Sequence, residues 1–92
     1  MEFEWNDSKA TANLKKHGVS FEEAKSVFYN ALAIIFDDEA HSVSEKREIL
    51  VGHSKNNRLL LVFFTERPHA IRIISARLAT RRELEDYERQ SF

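Results

Sequence analysis

The chain has 92 residues, 32% of them charged and 42% hydrophobic, with a formal net charge of −1 and no cysteine. That length supports one modest core, expected as a single domain over residues 1–92. The lack of cysteine excludes a disulfide framework or a thiolate metal site, and no run approaches the roughly 18 apolar residues of a membrane span. A near-neutral balance argues against a protein that coats nucleic acid, and the acidic, amphipathic start is unlike a secretory leader, so a cytoplasmic protein is expected.

In chain order, Glu2 to Trp5 alternates charged and aromatic residues, which suits a short edge strand. Asn6 is placed to cap a helix running to about His17, and Gly18 follows where a left-handed residue ends a helix. The apolar stripe of that helix is thin, Ala10, Leu14 and His17. Ser20-Phe21-Glu22-Glu23 reads as a capping box that starts a second helix at Phe21, ending near Tyr29. The two helices form an αα-hairpin. Ala33 to Phe36 and Ile49 to Val51 read as strands, separated by a polar loop over 37–46, and 54–57 reads as a turn. Thr80-Arg81-Arg82-Glu83 is a second capping box, launching a C-terminal helix with Leu84 and Tyr87 inward.

The most apolar stretch lies between them. Leu59 to Phe64 and Ile71 to Ile74 flank Pro68 and predict a central β-hairpin looping through 67–70. A regular register sets Glu66 opposite Ile71, Thr65 opposite Arg72 and Leu60 opposite Arg77. It places Arg72 and Arg77 on different faces. The expected fold is therefore α+β: a short N-terminal strand and αα-hairpin, a four-stranded antiparallel sheet, and a C-terminal helix.

Five arginines and no acid fall between Arg67 and Arg82, followed by four acids from Glu83 to Glu88. Arg67, Arg72 and Arg77 lie on or beside the most apolar strands, where solvated charge is least expected. The four histidines show no ligand spacing and the two glycines form no phosphate-cradling loop, so neither a metal nor another cofactor is expected. Arginines on a sheet suit RNA cleavage. RNA supplies its own 2′-hydroxyl nucleophile, and the protein need only position the backbone, move protons and stabilise the charged phosphorane. Arginine matches phosphate oxygens bidentately and stays charged. On this reading Arg72, Arg77, Arg67 and Glu66 are the catalytic candidates, with Glu66 either a base or an ion-pair partner. Lys16, His17, Arg58 and Thr65 are the RNA-binding candidates. The structural alternative makes Arg72 and Arg77 ion-pair partners of Glu66 or of the terminal helix, and His17 a helix cap.

The residues 16–24 (KHGVSFEEA), 64–67 (FTER) and 71–77 (IRIISAR), with Phe3-Glu4-Trp5-Asn6 and Asn13, resemble the BrnT-type toxins. The resemblance spans nearly the whole chain in three separated blocks. It implies a RelE-like fold and a ribonuclease toxin of a bacterial type II toxin–antitoxin system that cleaves RNA and inhibits growth. The implied partner is a BrnA-like ribbon-helix-helix antitoxin, which neutralises the toxin in a heteromeric complex and alone contacts operator DNA. Two departures, Asn30-Ala31 after the second helix and the glycine-free 55–57 tip, touch none of the candidate residues. The rival reading is a non-catalytic binding module, or a degenerate toxin that acts only within an autorepressor complex.

Overall fold

A computed structural model describes residues 1–90; Ser91 and Phe92, part of the expected domain, lie outside the described residues. The elements run β1 (Phe3–Glu4), α1 (Asp7–His17), α2 (Phe21–Ser26), β2 (Ile34–Asp37), β3 (Glu48–His53), β4 (Leu59–Arg67), β5 (Ala70–Leu78) and α3 (Arg81–Glu88). Short 3₁₀ turns follow α2 at Val27–Tyr29 and β2 at Glu39–His41. Asn6, Ser20 and Thr80 each accept a backbone N–H of the first turn, but only Thr80 completes its capping box, because the Glu23 carboxylate is taken up by Arg58 and Ser54 and does not return to Ser20. Gly18 ends α1 at φ 69°, which spares it the steric cost a Cβ would carry.

The sheet corrects the expected four antiparallel strands. It has five, in the order β1-β5-β4-β3-β2, and is mixed, because β1 joins the outer edge of β5 in parallel. The reason is local: β5 has a free edge there, and Ile71 N–H donates to the Glu2 carbonyl at 2.8 Å. The other four strands pair antiparallel.

A second correction concerns register. Near the hairpin turn the pairs are as expected, Glu66 with Ile71 and Thr65 with Arg72, but a β-bulge then intervenes at Phe63/Phe64. Phe64 pairs with Ile73 and Phe63 with Ser75, so Ile74 is the extra residue. Leu60 consequently faces Leu78, and Arg77 faces Leu61. Residues five apart in a regular strand lie on opposite faces; the bulge adds one and brings Arg72 and Arg77 to the same face.

On one side of the sheet, α1 and α2 cover a core of Val19, Phe21, Ala24, Val27, Leu60, Val62, Phe64 and Ile73. Trp5 closes it edge-on against Phe21, and Phe3 against Phe28. Gly52 belongs there because a Cβ would sit 2.7 Å from that of Ala33. The other side carries a smaller cluster, Ile49, Val51, Leu59 and Leu61, packed with Tyr87 of α3. Among the described residues no helix is long and apolar enough to cross a membrane.

Helix α1 is attached differently from what its thin stripe suggests. Leu14 is about half exposed, and the buried residue of α1 is Asn13. Its amide donates to the Val19 and Ala76 carbonyls at 2.9 and 2.8 Å, and its oxygen accepts the Ala76 N–H at 3.1 Å. The side chain thus satisfies both backbone groups of Ala76 where β1 has ended. Each would cost about 1–3 kcal/mol if buried without a partner.

Candidate active site

The bulged face of the sheet is only partly covered. Helix α3 packs over one end, the loop from Asp38 to Arg47 folds over the middle, and the last turn of α1 reaches the β5 edge. Between them lies a cleft of about 260 Å³ lined by His17, Asp38, His41, Arg47, Phe63, Ile74, Ser75, Ala76 and Arg77. The loop is fastened to the sheet by Thr65, whose hydroxyl donates to the Lys46 carbonyl at 2.7 Å.

Arg77 is the best-held cation of the cleft. Its guanidinium makes two bonds to Glu83 of α3, Nη1 to Oε1 at 2.7 Å and Nη2 to Oε2 at 2.9 Å, and lies 5.9 Å from the Phe63 ring centre. Glu83 in turn closes the α3 capping box by accepting the Thr80 N–H at 2.8 Å. The Arg77 hydrogen bonds hold the Glu83 carboxyl down to about 2 against the opposing effect of burial, with help from Thr80. The same pairing raises Arg77. Both pair bonds use the terminal amino groups, so the guanidinium edge with Nε–H remains available to an oxyanion.

Three further groups on the cleft wall were not singled out by the sequence. The Arg47 side chain has no hydrogen bond or ion pair among the described residues, while its carbonyl accepts the Asp38 N–H at 2.9 Å. Asp38 is buried, and its two carboxylate oxygens lie 3.1 and 3.0 Å from Nδ1 of His41. The only signal for that pair is the Asp38-x-x-His41 spacing, which one 3₁₀ turn closes.

His17 and Arg77 line the cleft. Arg72 shares the face but pairs with Glu4 of β1 at 2.7 Å. Arg67 lies further along that face, bonded to Glu45 of the covering loop at 3.3 Å. Glu66 is exposed on the opposite face, in a groove with Phe28 and Ala33. Lys16 is exposed beside His17. Arg58 is far from the cleft in function: it bonds the Gly18 carbonyl at 3.0 Å and pairs with buried Glu23, which also accepts the Ser54 hydroxyl. Arg58 holds the Glu23 carboxyl below its ordinary value and is itself raised. This network ties α2 to the β3–β4 turn. No group of three histidine, aspartate or glutamate side chains clusters as a metal site among the described residues.

The protein is a small α+β domain whose cleft gathers two imidazoles and two guanidiniums. The sequence matches, over residues 5–83, the family model described as the ribonuclease toxin BrnT of type II toxin–antitoxin systems. This chain belongs to that family. The fold is similar to the crystal structure of the Brucella abortus ribonuclease toxin BrnT, with a TM-score of 0.69 over 88% of this chain and 99% of that chain at 24% identity. No curated protein matches the sequence. Membership in the family implies a cognate antitoxin as partner.

The Arg77–Glu83 pair has a measurable acid signature. A carboxyl held at about 2 from an ordinary 4.5 contributes stability that is complete above 4.5 and lost as pH falls toward 2. Glu83→Gln should lower stability near neutral pH by about 1.5–3 kcal/mol, the worth of hydrogen bonds to charged groups. In denaturant titrations the gap between the two proteins should close between pH 4.5 and 2. A gap that stays constant across that window would show that the pair contributes nothing to folding.

Proposed function

We propose that this chain is a RelE-like endoribonuclease that cleaves RNA without a metal ion, in the cleft beneath Arg77. The observation that supports it is a guanidinium held bidentately by Glu83, its Nε–H outside both bonds, on the wall of a cleft that also carries Arg47 and two imidazoles. In the reaction the 2′-oxygen attacks the adjacent phosphorus, the P–O5′ bond breaks, and the products carry a 2′,3′-cyclic phosphate and a 5′-hydroxyl. Negative charge concentrates on the non-bridging oxygens in the transition state. Arg77 and Arg47 line the cleft that receives that charge, and the Glu83 bonds already hold Arg77 in place, so little reorganisation is needed as the reaction proceeds. The Phe63 ring offers an apolar surface beside them on which a base can stack.

Arg72 and Arg67 extend the cationic track along the same face, and Lys16 adds a solvated charge near its entrance. Their pairs with Glu4 and Glu45 are partly exposed, and such pairs are worth at most about 1 kcal/mol. A phosphate can therefore displace either carboxylate. Glu66 lies outside this track, Arg58 acts through the fold, and Thr65 acts by holding the covering loop in place.

Arg77→Ala should slow RNA cleavage about 100- to 1000-fold, the usual cost of one transition-state donor, and Arg77→Lys less severely because charge is kept but the fork is lost. Cleavage by the unchanged protein should persist in EDTA. The competing structural role predicts that melting temperature falls in step with activity for Arg77→Ala, and a chelator that stops cleavage would contradict the metal-free reading.

The free protein should arrest bacterial growth, and its antitoxin, proposed to be BrnA-like with a ribbon-helix-helix fold, should cover the cleft in a heteromeric complex. The toxin then touches operator DNA only through that partner. A stable complex of this kind buries about 1,200 Å² or more. The two proteins should co-elute in gel filtration with RNA cleavage suppressed. Separate elution, with cleavage undiminished by the antitoxin, would contradict this assignment.

A further inference from the structure

The arginines stabilise charge but cannot move protons, and the reaction needs two transfers. We propose that His41, held by Asp38, is the general base of the cleft and His17 its general acid, an inference that rests on the ribonuclease reading above.

The geometry at Asp38 is specific. Asp38 is 7% exposed, and its only ion-pair partner among the described residues is the imidazole of His41. Burying a carboxylate is costly, and a structural site would be better served by a guanidinium. The main chain around it is pinned: its N–H donates to the Arg47 carbonyl at 2.9 Å, and its carbonyl accepts the Ser42 hydroxyl at 2.7 Å. An ionised carboxylate only accepts, so Nδ1 of His41 must carry the hydrogen and the neutral ring presents Nε2 as the acceptor. His41 itself is exposed on the cleft wall, where substrate can reach it. Its fold role is slight, yet a buried acid orients it.

His17 comes from a different element, the last residue of α1, and lines the same cleft. The charged groups around the two rings are Asp38, Arg47 and Arg77, with Glu83 behind Arg77. In the forward step Nε2 of His41 takes the 2′-hydroxyl proton as the 2′-oxygen bonds to phosphorus. The P–O5′ bond breaks, and protonated His17 gives its proton to the departing 5′-oxygen. His41 ends protonated and His17 neutral, and exchange with water restores both. Asp38 is a positioning residue, since it reaches the substrate only through His41.

The test uses an oligonucleotide pool with a single scissile ribonucleotide, alongside the same pool with the 5′-oxygen replaced by sulfur, a leaving group that needs no proton. His41→Ala and His17→Ala should each cut kcat on the oxygen substrate about 100- to 10,000-fold. On the sulfur substrate His17→Ala should recover to within about tenfold of the unchanged protein, and His41→Ala should remain slow. Asp38→Asn should lower kcat while KM stays unchanged. His41→Ala leaves the buried Asp38 carboxylate without its partner and should lower the melting temperature, whereas His41→Asn, whose amide can still donate to Asp38 but takes no proton, should keep it and remain slow on both substrates. Full activity in either histidine variant, or sulfur rescue of His41→Ala in place of His17→Ala, would overturn the assignment and leave the ribonuclease reading standing. An unchanged protein that cleaves neither substrate would overturn both.

Discussion

The structure depends most on one amide. Asn13 takes the place of a strand partner for Ala76, occupying both its N–H and its C=O, and at the same time holds the Val19 carbonyl after the α1 turn. Helix α1 has little apolar surface to bury, so this polar clamp sets where it lies on the sheet. Asn13 is one turn before His17, and Ala76 is the residue before Arg77. The same contact that docks the helix therefore brings an imidazole and a guanidinium to one cleft. The adjacent bulge at Ile74 does the complementary work, turning Arg77 onto the face that Arg72 already occupies.

On that face each arginine meets a carboxylate from a different part of the chain: Arg67 with Glu45 of the covering loop, Arg72 with Glu4 of β1, Arg77 with Glu83 of α3. Without substrate these pairs limit repulsion among like charges. They differ in kind. The two outer pairs are single, partly exposed contacts of the kind that contributes little to stability. The inner pair is bidentate and more sheltered, and Glu83 is committed to its own helix cap as well. On the proposed ribonuclease reading, the outer arginines serve reversible capture of a backbone and the inner one a fixed position at the reacting phosphate.

Much of this was legible in the residues. The caps at Asn6, Ser20 and Thr80 and the Gly18 stop followed from local hydrogen bonding, and the central hairpin from its β-branched and aromatic runs. The structural alternative for Arg77, an ion pair with the terminal helix, also describes its contact with Glu83. What the residues concealed was non-local. Nothing in Ile73-Ile74-Ser75 marks a bulge: the stretch has no glycine, and two successive isoleucines suit a regular strand equally well, so neither signals which is unpaired. The parallel pairing of β1 depends on a free edge that exists only once the hairpin has formed. Asn13 looks like a surface residue of a polar helix until its partner 63 positions away is known. Asp38, His41 and Arg47 sit in a stretch whose polar composition reads as loop, and only the fold lays that loop across the sheet.

On the proposed function, this bulged face, and Arg77 on it, receives the RNA. The direct measurement is an NMR titration of ¹⁵N-labelled protein with a 2′-O-methyl oligoribonucleotide, which binds but lacks the nucleophile. The Arg77 Nε–H resonance and the Ser75 and Ala76 amides should shift most, together with the His17 and His41 rings, while Arg58 and the α2 amides stay in place. Shifts centred on Glu66 and the helical face of the sheet, with the Arg77 Nε–H unmoved, would contradict it.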